Sequence, residues 1–315
     1  MIASNICAQP YKMLVGDLVS DEQRGQAFSI QSLLMNGGTV LATITPFVMT
    51  SIGISNTAKA GVVPDTVKYA FYFAAAAIAL CSIVTIWQID ELSPAEFKAL
   101  HGQAAAEETP RKSMWQLTKE SARIFWLVGL VQFFAFFAFS YLWVYGAGAM
   151  AKNIYNAVDA NSAGYQAGGN LFGIYSAFYA LVIVFVTILL SRLPRKYYRL
   201  AWTITLFIAG AGFVLIFLAH DLVWMTVAFV LVGVGWSGTN IYPVTFITDA
   251  APKDYMGTYI GLMNIQVCIP QIAASILSVI FLPMFHGSMP AMIFLAAFVL
   301  FAAGLASLLI SDTDV

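Results

Sequence analysis

The nonapeptide DLVSDEQRG, Asp17 to Gly25, sets the reading of the whole chain. It is a short charged turn between two apolar segments. It recurs in altered form as DAAPKDYMG, Asp249 to Gly257, with the aspartate eight residues before the glycine in each copy. A proline next to a tyrosine precedes both turns, Pro10-Tyr11 and Tyr242-Pro243, and an apolar run carrying an amide, Gln31 or Asn264, follows them. Two like-oriented copies of helix, charged turn, helix predict an internal parallel repeat. One large class of membrane transporters is built in this way.

Composition sets the class. Of 315 residues, 60% are hydrophobic and 10% charged, with a mean hydropathy of +0.80, where a soluble domain has about 25% charged residues. The chain is therefore read as an all-α, polytopic membrane protein. A net charge of −1 with no basic run gives no support for a nucleic-acid partner. Cys7, Cys81 and Cys268 lie far apart in apolar sequence without metal-ligand spacing, so they read as small buried hydrophobes and no metal or cofactor is expected. The first residues, MIASNICAQPYK, have no basic residue ahead of their apolar part and contain Gln9-Pro10, which makes a poor signal peptide. Only 16 residues precede Asp17, fewer than the roughly 20 needed to cross the hydrocarbon, so the chain is expected to begin inside a helix.

Charges divide the rest into apolar runs. Full spans are predicted at 26–51, 69–89, 124–148, 168–191, 200–219, 222–248, 256–282 and 288–310. The stretch 90–121, with Pro94, Pro110 and mixed charges, reads as a linker lying on the membrane surface as short helices. If the Asp17 turn is cytoplasmic, that side carries Lys12, Arg24, Lys98, Arg111, Lys112, Lys119, Arg123, Arg192, Arg195, Lys196, Arg199 and Lys253. The opposite side has only Lys59, Lys68 and Lys152. Twelve basic residues against three fix the orientation and place the C-terminus in the cytoplasm. The repeat turn lies between the fourth and fifth helices after the linker. The same position before the linker implies three helices ahead of Met1, a six-plus-six design. The expected domains are then 1–89, a remnant of an N-terminal six-helix half (helices 4 to 6), 90–121, a cytoplasmic linker, and 122–315, a C-terminal six-helix half (helices 7 to 12).

The run QPYKMLVGDLVSDEQRGQAFSIQS (9–32) resembles the fourth-to-fifth-helix junction of major facilitator sugar:cation symporters, in particular the sucrose/maltose branch of the glycoside-pentoside-hexuronide group. The likeness continues through VPDTVKYAFY (63–72), VQFFAFFAFSYLWVY (131–145), YQAGGNLFG (165–173) and MGTYIGLMNIQVCIPQIAASI (256–276). It implies a major-facilitator-type bundle lacking about its first three helices, in a plasma membrane such as a bacterial inner membrane. It also implies a secondary active transporter, here a fragment, that moves a neutral disaccharide such as maltose or sucrose by proton symport with alternating access. The alternative is a truncated, non-transporting membrane protein that associates with or regulates a full-length relative.

No catalytic constellation is present. His101 lies in the linker, His220 and His286 fall in predicted outer loops, and Ser29, Ser32 and Ser140 have no nearby base. An enzyme is not expected. Polar residues inside spans are better guides, because a polar group in hydrocarbon needs a partner and often marks a pathway. The candidates for substrate binding are Gln31, Gln132, Asn170, Asn240, Tyr242, Asn264 and Gln271, accompanied by Asn36, Tyr175 and Gln266. These neutral amides and phenols suit a hydroxyl-rich sugar, and Phe133, Phe137 and Trp143 are placed to stack on its faces. Any single amide can instead tie two helices together. Pro10, Pro46, Pro243 and Pro270, with Gly37-Gly38 and Gly233 to Gly238, read as kinks lining a cavity or hinge, against ordinary tolerance of such residues in membrane helices. Asp17 and Arg24, with Asp249 in the second copy, are gate candidates. Met256 stands where Arg24 stands in the first copy, so a matching ion pair there would use Lys253. The coupling proton's carrier is not on these spans, since no ionisable side chain sits mid-span.

Overall fold

In hydrocarbon every backbone N–H and C=O must find its partner within its own segment, so an apolar run crosses as a helix. The computed structural model describes residues 24–55, 63–89, 112–252 and 255–311. These form α1 (Arg24–Ser51), α2 (Asp65–Gln88), α3 (Met114–Glu120), α4 (Arg123–Tyr155), α5 (Ala163–Leu190), α6 (Tyr198–Leu218), α7 (Leu222–Ala250), α8 (Met256–Met284) and α9 (Met289–Ser307). A 3-10 turn, Arg195–Tyr197, leads into α6, and the described residues contain no strand. Every predicted span is a helix. Seven of them are long and apolar enough to cross a membrane, and α1, at 28 residues, extends about 42 Å. The Asp17 turn and most of the linker lie outside the described residues; α3 is the linker's described helix.

Helix ends differ from the hydropathy boundaries where polar side chains cap them. α4 continues past residue 148 to Tyr155, where Asn156 takes a left-handed conformation, φ 49°. Asn153 holds this extension, its Nδ2 donating to Ile216 O at 2.8 Å and Phe217 O at 3.3 Å at the end of α6. α5 starts before 168 because Ser162 Oγ accepts from the Tyr165 N–H at 3.2 Å. Asp221 caps α7, accepting from the N–H groups of Val223 and Trp224, both at 2.9 Å. Pro46, Pro243 and Pro270 do not break their helices, since α1, α7 and α8 run through them.

Contacts between helix ends fix the topology. Arg199, at the start of α6, donates to Ile310 O just beyond α9 at 2.9 Å, Asp249 near the end of α7 meets Arg195 before α6, and Tyr259 in the first turn of α8 meets Leu117 of α3. The starts of α4, α6 and α8 thus share one end of the bundle with the finishes of α5, α7 and α9. Of the basic residues described between 112 and 311, Lys112, Lys119, Arg123, Arg192, Arg195, Lys196 and Arg199 lie at this end and Lys152 alone at the other.

α4 is the central helix, packed against α5, α7, α8 and α9, and it buries Val128, Val131, Ala135, Ala138 and Leu142. α7 is wedged between α5 and α6, and its glycines make this possible. A Cβ on Gly235 would lie 2.9 Å from Thr205 O of α6, and one on Gly233 would lie 2.9 Å from Val182 Cβ of α5. Small residues that admit backbone contact drive helix association in lipid. The run expected to form a hinge or cavity wall is therefore a two-sided packing surface. Gly212 of α6 fits α7 as closely, since a Cβ there would lie 2.9 Å from Ala228 O.

The remaining helices are more open. α1 packs on α5 and α2, while α2 buries Thr66 alone and α8 buries only Tyr259, Leu262, Pro270 and Ala274 among the described residues. The cysteines on these two helices correct an expectation: Cys81 of α2 is exposed and Cys268 of α8 half-buried, because each stands on a helix that the bundle covers only in part.

Candidate functional site

A substrate face in a helix bundle needs aromatic and polar side chains that reach out of the packed interior. α4 and α7 bring such side chains together. Phe136, Phe139 and Trp143 rise along α4, and all three rings meet Trp236 of α7, with centroids 5.4, 4.6 and 5.2 Å away in edge-to-face contact. Edge-to-face packing holds rings in fixed relative positions. Phe139 is buried and closes the cluster against Phe213 of α6 at 5.5 Å, whereas Trp143 is 37% exposed. Asn240 stands one helical turn beyond Trp236, on the same face of α7, and is exposed.

α8 packs beside α4 and α7. It carries Asn264, Cys268, Gln271 and Ser275 at spacings of four, three and four residues, which places them on one stripe. Gln271 Nε2 donates to Val267 O at 3.2 Å and Ser275 Oγ to Gln271 O at 2.9 Å, so both are satisfied within their own helix. Neither Asn240 nor Asn264 has a hydrogen-bond partner among the described residues, which leaves their amides with donors and acceptors to offer.

The other sequence-predicted residues are placed differently. Gln132 is buried, with Oε1 unpartnered among the described residues. Tyr242 is fully buried and lies beside Tyr198 and Phe246, at 5.3 and 6.4 Å, inside the bundle rather than on the open face. Phe137 is buried against Tyr141 at 5.0 Å, and Phe133 is half-buried beside it. Asn170 is half-buried on α5. Tyr175 ties α5 to the start of α7 by donating to Leu222 O at 2.8 Å. Gln266 ties α8 to α4: its Nε2 donates to Phe125 O at 3.1 Å, in space left by Gly129. The side chains of Gln31, Asn36 and Arg24, and all of Asp17, lie outside the described residues.

Among the described residues Asp249 has an ion pair with a residue that the sequence did not single out for it. Its Oδ2 lies 2.7 Å from Arg195 Nη2, which comes from the connection before α6 and not from the repeat turn itself. The two sit at the ends of different helices, brought together by the tight packing of α6 on α7. Lys253, the basic residue of the turn, lies outside the described residues. His220 is an exposed end-of-helix residue whose Nδ1 lies 3.3 Å from Asn153 O. No group of three potential metal ligands occurs among the described residues.

The model of the Major Facilitator Superfamily matches residues 2–275, a stretch that takes in both copies of the charged turn. The chain belongs to the major facilitator superfamily. No curated protein matches it. A major facilitator chain is a transporter of small molecules and not an enzyme, and this one is a multi-pass membrane protein. Among its described residues, the aromatic and amide side chains of α4, α7 and α8 make up the candidate face. Sequence reasoning missed Trp236, the centre of that face. Its signal was a single bulky ring in the run GVGWSG, four residues before Asn240.

Proposed function

We propose that this major facilitator chain carries a neutral sugar, a disaccharide such as maltose or sucrose, by proton symport with alternating access. The observation that carries this reading is the contact of Trp143 with Trp236, on helices that also carry the unpartnered amides of Asn240 and Asn264 and no ionisable side chain at mid-span. A sugar has apolar ring faces and many hydroxyls but no charge, so it calls for aromatic surfaces and neutral donors and acceptors. An ionic substrate would need a counter-charge in the low-dielectric span. Gln132, Asn170, Gln271, Gln31 and Tyr242 belong to the same proposal as further substrate-binding positions, Gln132 and Tyr242 from within the packed bundle. Arg195–Asp249 is proposed as a latch that opens when the helix ends move. Residues 1–89 and 122–315 are proposed as parts of the two repeat-related halves, with the C-terminus in the cytoplasm of a bacterial inner membrane.

Binding is tested by tryptophan emission of the purified chain titrated with maltose, sucrose and a charged sugar acid. The neutral disaccharides are expected to change the emission, the acid is not, and Trp236→Ala should weaken the response about thirtyfold, as truncation of a central aromatic anchor does. Asn240→Ala and Asn264→Ala should weaken it about tenfold each. Equal responses to acid and neutral sugar would reject the assignment. The exposed faces of α2 and α8 favour a second reading, in which the chain docks on a relative and does not transport by itself. Co-purification with such a relative, without sugar binding by the isolated chain, would select it.

A further inference from the structure

We propose that α3 is a docking strap for anionic phospholipids: Trp115 lies among the headgroups, Lys119 pairs with a lipid phosphate, and Tyr259 passes the contact to α8. The helix is short, yet it is firmly held. Ser113 and Gln116 form a reciprocal capping box, and Lys112 pairs with Glu120 across the helix. That hydrogen bond holds the Lys112 ammonium above its ordinary pKa and engages its charge within the protein. One side of α3 faces inward through buried Leu117, whose carbonyl accepts from Tyr259 Oη at 3.3 Å. Ser121 Oγ also donates to Tyr259 Oη at 3.4 Å, and the Tyr259 ring meets Phe125 at 5.7 Å.

The other side faces outward. Met114 and Trp115 are exposed, Trp115 at 69%, and Lys119 lies over the Trp115 ring at 5.3 Å from its centroid. An aromatic ring joined to a lysine suits the boundary between hydrocarbon and headgroups, where the ring buries and the ammonium reaches phosphate. The same pairing recurs at this end of the bundle, where Lys196 lies 4.9 Å over exposed Tyr197. The charge distribution gives the occupant its sign. Seven basic residues of the described region 112–311 lie at this end against Lys152 at the other, which matches a surface of anionic lipid. Each basic side chain close to such a surface strengthens attraction about fivefold.

The full chain is reconstituted in nanodiscs of phosphatidylcholine, or of a mixture rich in phosphatidylglycerol, each containing lipid brominated near the headgroup. The Trp115 signal is the difference between the wild type and Trp115→Phe. Quenching of Trp115 should be stronger in the anionic discs, Lys119→Gln should cut that gain about fivefold, and Lys119→Arg should restore it. Equal quenching in both lipids, or no effect of Lys119→Gln, overturns lipid docking and points to a protein partner for this face. Suppression by inorganic phosphate overturns it in favour of a free-anion site. Coupling is read by hydrogen exchange in the first turn of α8, which should be slower in anionic discs and lose that difference in Tyr259→Phe. Lipid-independent exchange in the wild type would overturn the link to α8.

Discussion

Adding one methyl group at Gly168 should loosen the bundle, while the same change at its neighbour should not. A Cβ on Gly168 would lie 2.5 Å from the Cα of Ala151, and 2.6 Å from its Cβ and its N. Carbon atoms in good contact are about 3.5–4.0 Å apart, so α5 must retreat from α4 by about 1 Å. Two of the three obstructing atoms are backbone, which no rotamer change relieves. Overpacking of this kind costs about 1–3 kcal/mol, and the gain in helix propensity from glycine to alanine offsets about 0.5–1 kcal/mol of it. Gly168→Ala should therefore destabilise by about 1–2 kcal/mol. A Cβ on Gly169 meets nothing within 4 Å, so Gly169→Ala retains only the favourable part. Thermal unfolding of the two variants in the same detergent, followed by size exclusion of heated samples, should move in opposite directions from the wild type, with Gly168→Ala lower by several degrees. An unchanged midpoint for Gly168→Ala would refute the claim that α4 and α5 meet backbone to backbone there.

Asn153→Ala removes the donor that serves the last carbonyls of α6 and should cost about 1 kcal/mol, with faster hydrogen exchange at the ends of both α4 and α6; protection unchanged at α6 would show that the bond is not used. Asp249→Asn breaks the Arg195 pair, and because both partners are partly exposed the loss of stability should be less than about 1 kcal/mol, while accessibility of a cysteine probe at Thr248 rises; a large loss of stability would argue against a latch. Ser113→Cys and Ser162→Cys should label from opposite sides of the membrane, since α4 lies between them; labelling of both from one side would overturn the helix count.

The fold class was legible because membrane helices are set by local chemistry. A run such as 124–148 in α4 or 256–282 in α8 needs only its own length and apolarity to define a span. Boundaries were legible only to within a turn or more, because they depend on partners. α4 reaches Tyr155 through the carbonyls of Ile216 and Phe217 on α6, residues that no local window around Asn153 contains. The candidate site was legible in part. Trp143, Asn240 and Asn264 could be picked out as polar or amphipathic groups in apolar runs, but the same rule also picked Gln266 and Tyr175, which tie helices together.

Hydropathy and charge act residue by residue, so the amino-acid order was enough to establish an all-helical membrane protein with its basic residues concentrated at one end. Which face of each helix stays open is a property of the packed bundle. The rotation of a helix about its axis is fixed by the close approach of small residues such as Gly233 and Gly235 to neighbouring helices. That rotation leaves Asn240 exposed, sets Trp236 half-buried against α4 and turns Tyr242 inward on the same helix. It also joins Asp249 to Arg195, because an ion pair between helix ends depends on which ends the packing brings together.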